Sequence, residues 1–130
     1  MIFTFEPKGG PIFITGVITG PSQSLGVRLI LDTGATTSLI NQRVLISIGF
    51  DPVASASPAD HIEMTTSSAV EKVAKVILTR LTALGQHGFG FPVVAHDLPP
   101  IAAVDGLLGL DFLRNQVLTL DFQKGQITLV

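Results

Sequence analysis

No cysteine occurs anywhere in the sequence, which excludes disulfides, thiol catalysis and cysteine-held metal sites. That absence alone does not distinguish a reducing compartment from an oxidising one. No apolar run approaches the roughly 18 to 20 residues of a membrane span, and the opening "MIFTFEPKGG" has neither the basic start nor the long apolar centre of a secretory signal. As written, the chain is expected to be cytoplasmic, with no membrane span. Basic clusters are missing too. The Lys and Arg residues, 8 in all, are scattered singly over a chain of formal net charge -2 and pI near 5.8, so nucleic-acid binding has no electrostatic footprint. His61, His87 and His96 lie far apart without an HExxH spacing, so no metal is implied. Ser22, Ser24, Ser38 and Ser67 lack a Gly-x-Ser-x-Gly setting, which leaves hydroxyl-nucleophile catalysis unsupported, and no cofactor is expected.

What is present is an apolar chain of 130 residues, 46% hydrophobic and only 14% charged, with a mean hydropathy of +0.54. A chain of that length is expected to form one domain over residues 1–130 and to bury roughly two-thirds of its extended surface. So apolar a small domain has surface to bury against a partner, and a dimer would satisfy that.

Short β-branched segments punctuated by turns dominate. "PIFITGVIT" and "LGVRLILD" flank the turn cluster "GPSQS" and predict a hairpin. "EKVAKVILTRLTAL" predicts a long strand with room for a bend, and "GFGFPVVAH" another, with Pro92 suited to an edge or a strand end and Phe89 and Phe91 expected together in the core. In "VLTLDFQKGQITLV", Leu118, Leu120 and Phe122 alternate with Thr119 and Asp121, Lys124-Gly125 turns the chain, and Ile127 and Leu129 resume the alternation. Two helices interrupt the pattern. "NQRVLISIGF" places Val44, Leu45 and Ile48 on one face, with Asn41 as cap and Gly49 as stop; "GLDFLRNQ" directs Phe112 and Leu113 inward.

An apolar stretch, a small-residue turn and a short helix occur twice, as "LILDTGATTSLI" and as "VDGLLGLDFL". Two half-structures of similar plan would pack around a centre. Within the first, Asp32 follows three apolar residues, Gly34 permits a tight backbone, and Thr33 and Thr36 supply hydroxyls. An acid ending a buried strand is costly unless something requires it. The bare Asp-Thr-Gly tripeptide also favours turns, and Asp105 and Asp111 are read as turn and helix-start acids.

Ile30-Leu31-Asp32-Thr33-Gly34-Ala35, followed some seventy residues later by Leu107-Leu108-Gly109 and a short helix, resembles the retropepsin-like aspartic proteases, and the similarity runs nearly the whole chain. The resemblance implies an all-β, closed barrel-like acid-protease fold with one or two short helices, one lobe per chain, active as a homodimer. It implies that Asp32 faces its copy across a two-fold axis and acts as the catalytic residue of an aspartic endopeptidase. Thr33 and Gly34 would support the catalytic loop, and Gly34, Ala35, Thr65, Thr66, Ser67 and Ser68 would contact a peptide or protein substrate beneath a flap. "MIFTF" and "QITLV" would interleave at the dimer base.

Two departures stand out. Where retroviral members carry an acid and an arginine that pair near the dimer contact, this chain has Thr36 and Leu110, so both partners are absent together. The flap region "IEMTTSSAVEK" has Ser67-Ser68 where glycine is usual. These departures support an alternative reading from another class: a non-catalytic retropepsin-like module that binds a peptide or dimerises. A third reading is a processing domain excised from a longer precursor.

Overall fold

The computed structural model describes residues 1–51, 61–65 and 70–130, with the backbone alone for 61–65 and Glu71. The elements are β1 (Phe3–Thr4), β2 (Phe13–Thr19), β3 (Ser24–Leu31), β4 (Leu39–Ile40), α1 (Gln42–Ser47), β5 (His61–Thr65), β6 (Val70–Ala83), β7 (Gln86–Ala95), β8 (Gly106–Leu108), α2 (Leu110–Leu113), β9 (Leu118–Asp121) and β10 (Gln126–Leu129). A 3₁₀ turn occupies Pro100–Ala102.

The fold is mainly β, as expected. One sheet runs β2-β3-β8-β4-β7-β6-β5, and an additional β2–β6 pairing closes six of its strands into a barrel. β6 owes its length of 14 residues to serving two neighbours along one edge. It pairs with β5 from Val70 to Ala74 and with β2 from Arg80 to Ala83, while β7 lies along the other edge. Pro92 sits where β7 has β6 on one side only, since β4 joins β7 at Val94 and Ala95. A missing ladder donor is tolerated there.

Alternation sends every second residue inward. Val27, Leu29 and Leu31 of β3 are buried beside Ile14 and Ile18 of β2, Leu78 and Leu81 of β6, Val93 of β7 and Leu108 of β8. Each fully buried aliphatic side chain contributes roughly 1.5–3 kcal/mol. Val44, Leu45 and Ile48 close one side of this core and Phe112 and Leu113 another, matching the helical faces expected. Gly49 stops α1 with φ of 104°. No helix among the described residues is long and apolar enough to cross a membrane.

Several local expectations are corrected. Asn41 does occupy the N-cap position of α1, but its side chain reaches away: Nδ2 donates to the Val104 carbonyl and Oδ1 accepts the Leu98 N–H. Asp97 instead takes the first free helical donor, the Gln42 N–H, at 2.8 Å. Phe89 is 72% exposed whereas Phe91 packs edge-on against Phe112, because Gly90 between them has φ of 56° and breaks the alternation. Phe122 lies just past β9, exposed, with its ring edge-to-face with Phe5 at 5.4 Å. The terminal strands are both present, but β1 pairs with β10 of its own chain, Phe3 opposite Ile127 and Thr4 opposite Gln126. β9 lies along the other edge of β10, from Leu118 to Asp121.

Candidate active site

β3 and β8 run parallel, with Leu29 opposite Gly106, Ile30 opposite Leu107 and Leu31 opposite Leu108. The two halves of the internal repeat therefore meet side by side, and both strands end at the same level. The Asp32 N–H donates to the Leu108 carbonyl at 2.9 Å, which carries the parallel ladder one residue beyond β3. Asp32 then leaves the sheet. Its carbonyl accepts the Ala35 N–H, closing a tight turn, and its Oδ1 accepts the Gly34 N–H at 2.9 Å. The carboxylate is half-buried and held by a backbone donor inside its own loop.

Gly34 lies close against the carboxylate it orients. A Cβ there would lie 3.2 Å from Asp32 Oδ1, so any side chain crowds the carboxylate. Thr33 is exposed and Ala35 half-buried.

The second loop is laid onto the first. Ala35 and Thr36 carbonyls accept the N–H groups of Leu110 and Asp111, the two residues after Gly109. Gly109 approaches so closely that a Cβ would stand 2.7 Å from the Ala35 carbonyl oxygen. Beneath this contact Ser38, buried, donates its hydroxyl to Asp111 Oδ1 at 2.7 Å and its N–H to Asp111 Oδ2 at 2.9 Å. The Gly109 N–H returns to Ser38 Oγ at 3.0 Å, and Asp111 Oδ1 also takes the Phe112 N–H. Thr36 and Leu110, which stand where an ion pair was absent from the pattern, are thus joined to the neighbouring loop through backbone bonds.

The other acids have structural work, as expected of them. Asp105 Oδ2 accepts the Arg28 N–H at 2.8 Å, and Asp111 fastens the start of α2 to Ser38. The Ser38–Asp111 pair escaped sequence reasoning, which weighed Ser38 only as a nucleophile; the sole signal was an acid in the first turn of a short helix. His87 shares a hydrogen bond with Thr82, and among the described residues no group of His, Asp and Glu gathers that could hold a metal ion. Thr65 ends β5, with its backbone opposite Val70. Thr66, Ser67 and Ser68 lie outside the described residues.

Parallel strands ending together, a glycine loop presenting one acid and a second loop clasped to it define the retropepsin-like aspartic protease fold. A family model for aspartyl proteases matches residues 14–112, and the chain belongs to that family. Among solved structures, a retropepsin-like aspartic protease from Rickettsia conorii is similar over 99% of this chain and 88% of its own, with a TM-score of 0.73 at 17% identity. The retroviral protease-like domain of Ddi1 from Leishmania major is similar over 95% and 96%, with a TM-score of 0.57 at 16% identity. No curated protein matches by sequence.

Proposed function

We propose that the chain, as a single protease domain over residues 1–130, is an aspartic endopeptidase that works as a homodimer, with Asp32 of each protomer contributing to one dyad. The observation that carries this reading is the single presented acid. Asp32 stands at the end of paired parallel strands with Gly34 orienting it, while the carboxylates of Asp105 and Asp111 are engaged with backbone and Ser38. One lobe supplies one such acid, and metal-free peptide hydrolysis needs two groups, a base for water and an acid for the leaving amine.

Two carboxylates about 3 Å apart cannot both ionise, so they share one proton and titrate as a pair. The ionised member takes a proton from water, whose oxygen attacks the scissile carbonyl carbon. The protonated member gives its proton to the carbonyl oxygen. As the tetrahedral intermediate collapses, one carboxyl gives its proton to the departing nitrogen, the C–N bond breaks, and the other carboxylate takes a hydroxyl proton as the new carbonyl forms, which restores the shared proton. Thr33, exposed in the protomer, bonds its counterpart loop in this reading, and Gly34 and Ala35 line the floor under an extended peptide. The paired strands β5 and β6 serve as the flap, with Thr65 opposite Val70. Exposed Met1, Ile2, Val117 and Val130 around the terminal sheet supply apolar surface for the second copy.

Turnover of peptides by the purified protein, set against Asp32→Asn, tests the reading. Loss of cleavage in the variant supports it, and equal rates refute it. The second reading, a non-catalytic binding or dimerisation module, draws on the glycine-free "MTTSSA" segment and the unpaired positions Thr36 and Leu110. It predicts peptide binding without turnover.

A further inference from the structure

The outward face of β2, β3 and β8 continues away from Asp32 as a series of aligned rows. Phe13, Ile30 and Leu107 form the row nearest the acid, since Phe13 pairs with Ile30 and Ile30 with Leu107. Thr15 and Arg28 pair in the next, with Asp105 beside them: its N–H donates to the Arg28 carbonyl and its Oδ2 accepts the Arg28 N–H. These residues alternate with the buried Ile14, Val27 and Leu29, so they point to the side opposite the core. Arg28 is exposed. A cavity of about 640 Å³ opens on this face, bounded by Phe3, Thr4, Phe13, Thr15, Arg28 and Asp105.

The cationic end of Arg28 is already ordered. Its Cζ lies 3.9 Å from the centroid of the Phe13 ring, and Nη1 reaches the Ala103 carbonyl at 3.5 Å. The nearby acid does not claim it by this geometry, because Asp105 Oδ2 is held on the Arg28 backbone N–H rather than on the guanidinium. A guanidinium stacked on an aromatic ring keeps its remaining N–H donors in a planar fork suited to a carboxylate. Less rotamer freedom is then lost when a ligand arrives.

We infer that Arg28, on its Phe13 platform, forms a substrate subsite that selects an acidic side chain, Asp or Glu, away from the scissile bond. Four residues of strand separate Arg28 from Asp32, a span on the order of 13 Å, which an extended peptide covers with about four residues. The inference rests on the peptidase reading and names a preference within it.

Peptides identical except for Glu, Gln or Lys, placed in turn at each position three to five residues from the cleaved bond, test it with wild type, Arg28→Gln and Arg28→Glu. The ratio of kcat/KM between Glu and Gln peptides is independent of how much of each variant folds. At one position wild type should favour Glu by about five- to ten-fold, as expected of a partly exposed charge-assisted pair. The ratio should fall to near unity in Arg28→Gln, and Arg28→Glu should prefer Lys. A ratio of unity in wild type at every position, or an unchanged ratio in Arg28→Gln, overturns the subsite. Binding of the same peptides to Asp32→Asn separates the two readings. Tighter binding of the Glu peptide without any wild-type cleavage retains the subsite and removes the peptidase, whereas neither binding nor cleavage removes both.

Discussion

Ser38 and Asp111, 73 residues apart in sequence, are joined by two hydrogen bonds that lock the loop after β3 to the start of α2. The Ser38 hydroxyl is also the acceptor for Gly109, so one buried side chain satisfies donors and acceptors on both loops. The loop that presents Asp32 therefore rests on a polar clasp.

Ser38→Ala removes the hydroxyl and leaves Asp111 Oδ1 and the Gly109 N–H each short of a partner. Stranding buried polar groups costs about 1–3 kcal/mol, so the urea midpoint should drop by the corresponding amount without a change in m-value. Asp111→Asn keeps one acceptor oxygen but turns an amide NH2 toward a Ser38 donor, so it should destabilise as well. Equal stability of Ser38→Ala and wild type would show that the clasp is energetically idle.

Gly106 offers a steric counterpart. A Cβ at this position would fall on the Leu39 carbonyl oxygen, the backbone of the neighbouring strand β4, so no rotamer relieves it. Gly106→Ala should destabilise by about 3 kcal/mol, and the strain should spread to β8 and hence to Leu108, the carbonyl partner of Asp32. Thermal unfolding measures it, and an unchanged midpoint would mean that β4 and β8 separate at little cost.

Ile127 and Leu129, both buried, were legible because strand alternation is local, and the place of Asp32 at a strand end because three apolar residues precede a turn-forming Asp-Thr-Gly. The two apolar segments of the internal repeat lie side by side, Leu31 opposite Leu108. Longer-range polar contacts left no such mark. Asn41 carries the right chemistry for a cap, yet Asp97, 55 residues from Gln42, takes the helix donor because the loop before the 3₁₀ turn passes the start of α1. Phe89 and Phe91 have the spacing of one face, and only the positive φ of Gly90 divides them. Such a choice depends on the whole barrel rather than on neighbouring residues.

That misplaced cap is itself testable. Asp97→Ala should cost about 0.5–2 kcal/mol, the usual range for losing a side-chain acceptor at a helix start, whereas Asn41→Ala should disturb the 98–104 loop through its bonds to Leu98 and Val104. Amide hydrogen exchange distinguishes them: the first variant should speed exchange at Gln42, the second at Leu98.

The proposed sharing of the reaction between two copies of Asp32 would make activity depend on protein concentration and on pH together. Dilution through the dimer dissociation constant should lower specific activity, and a covalently linked pair of chains should resist that loss. The pH profile of kcat/KM should be bell-shaped with an acidic maximum. The proposed reaction needs one protonated and one ionised acid together, so a pair in any other state should be inactive. A linked pair in which one chain carries Asp32→Asn keeps the fold and one acid but loses the dyad, so it should lose turnover while still binding peptide. If that one-acid pair cleaves as fast as the intact one, or if specific activity stays constant on dilution to fully monomeric protein, one protomer suffices and the two-fold site is wrong.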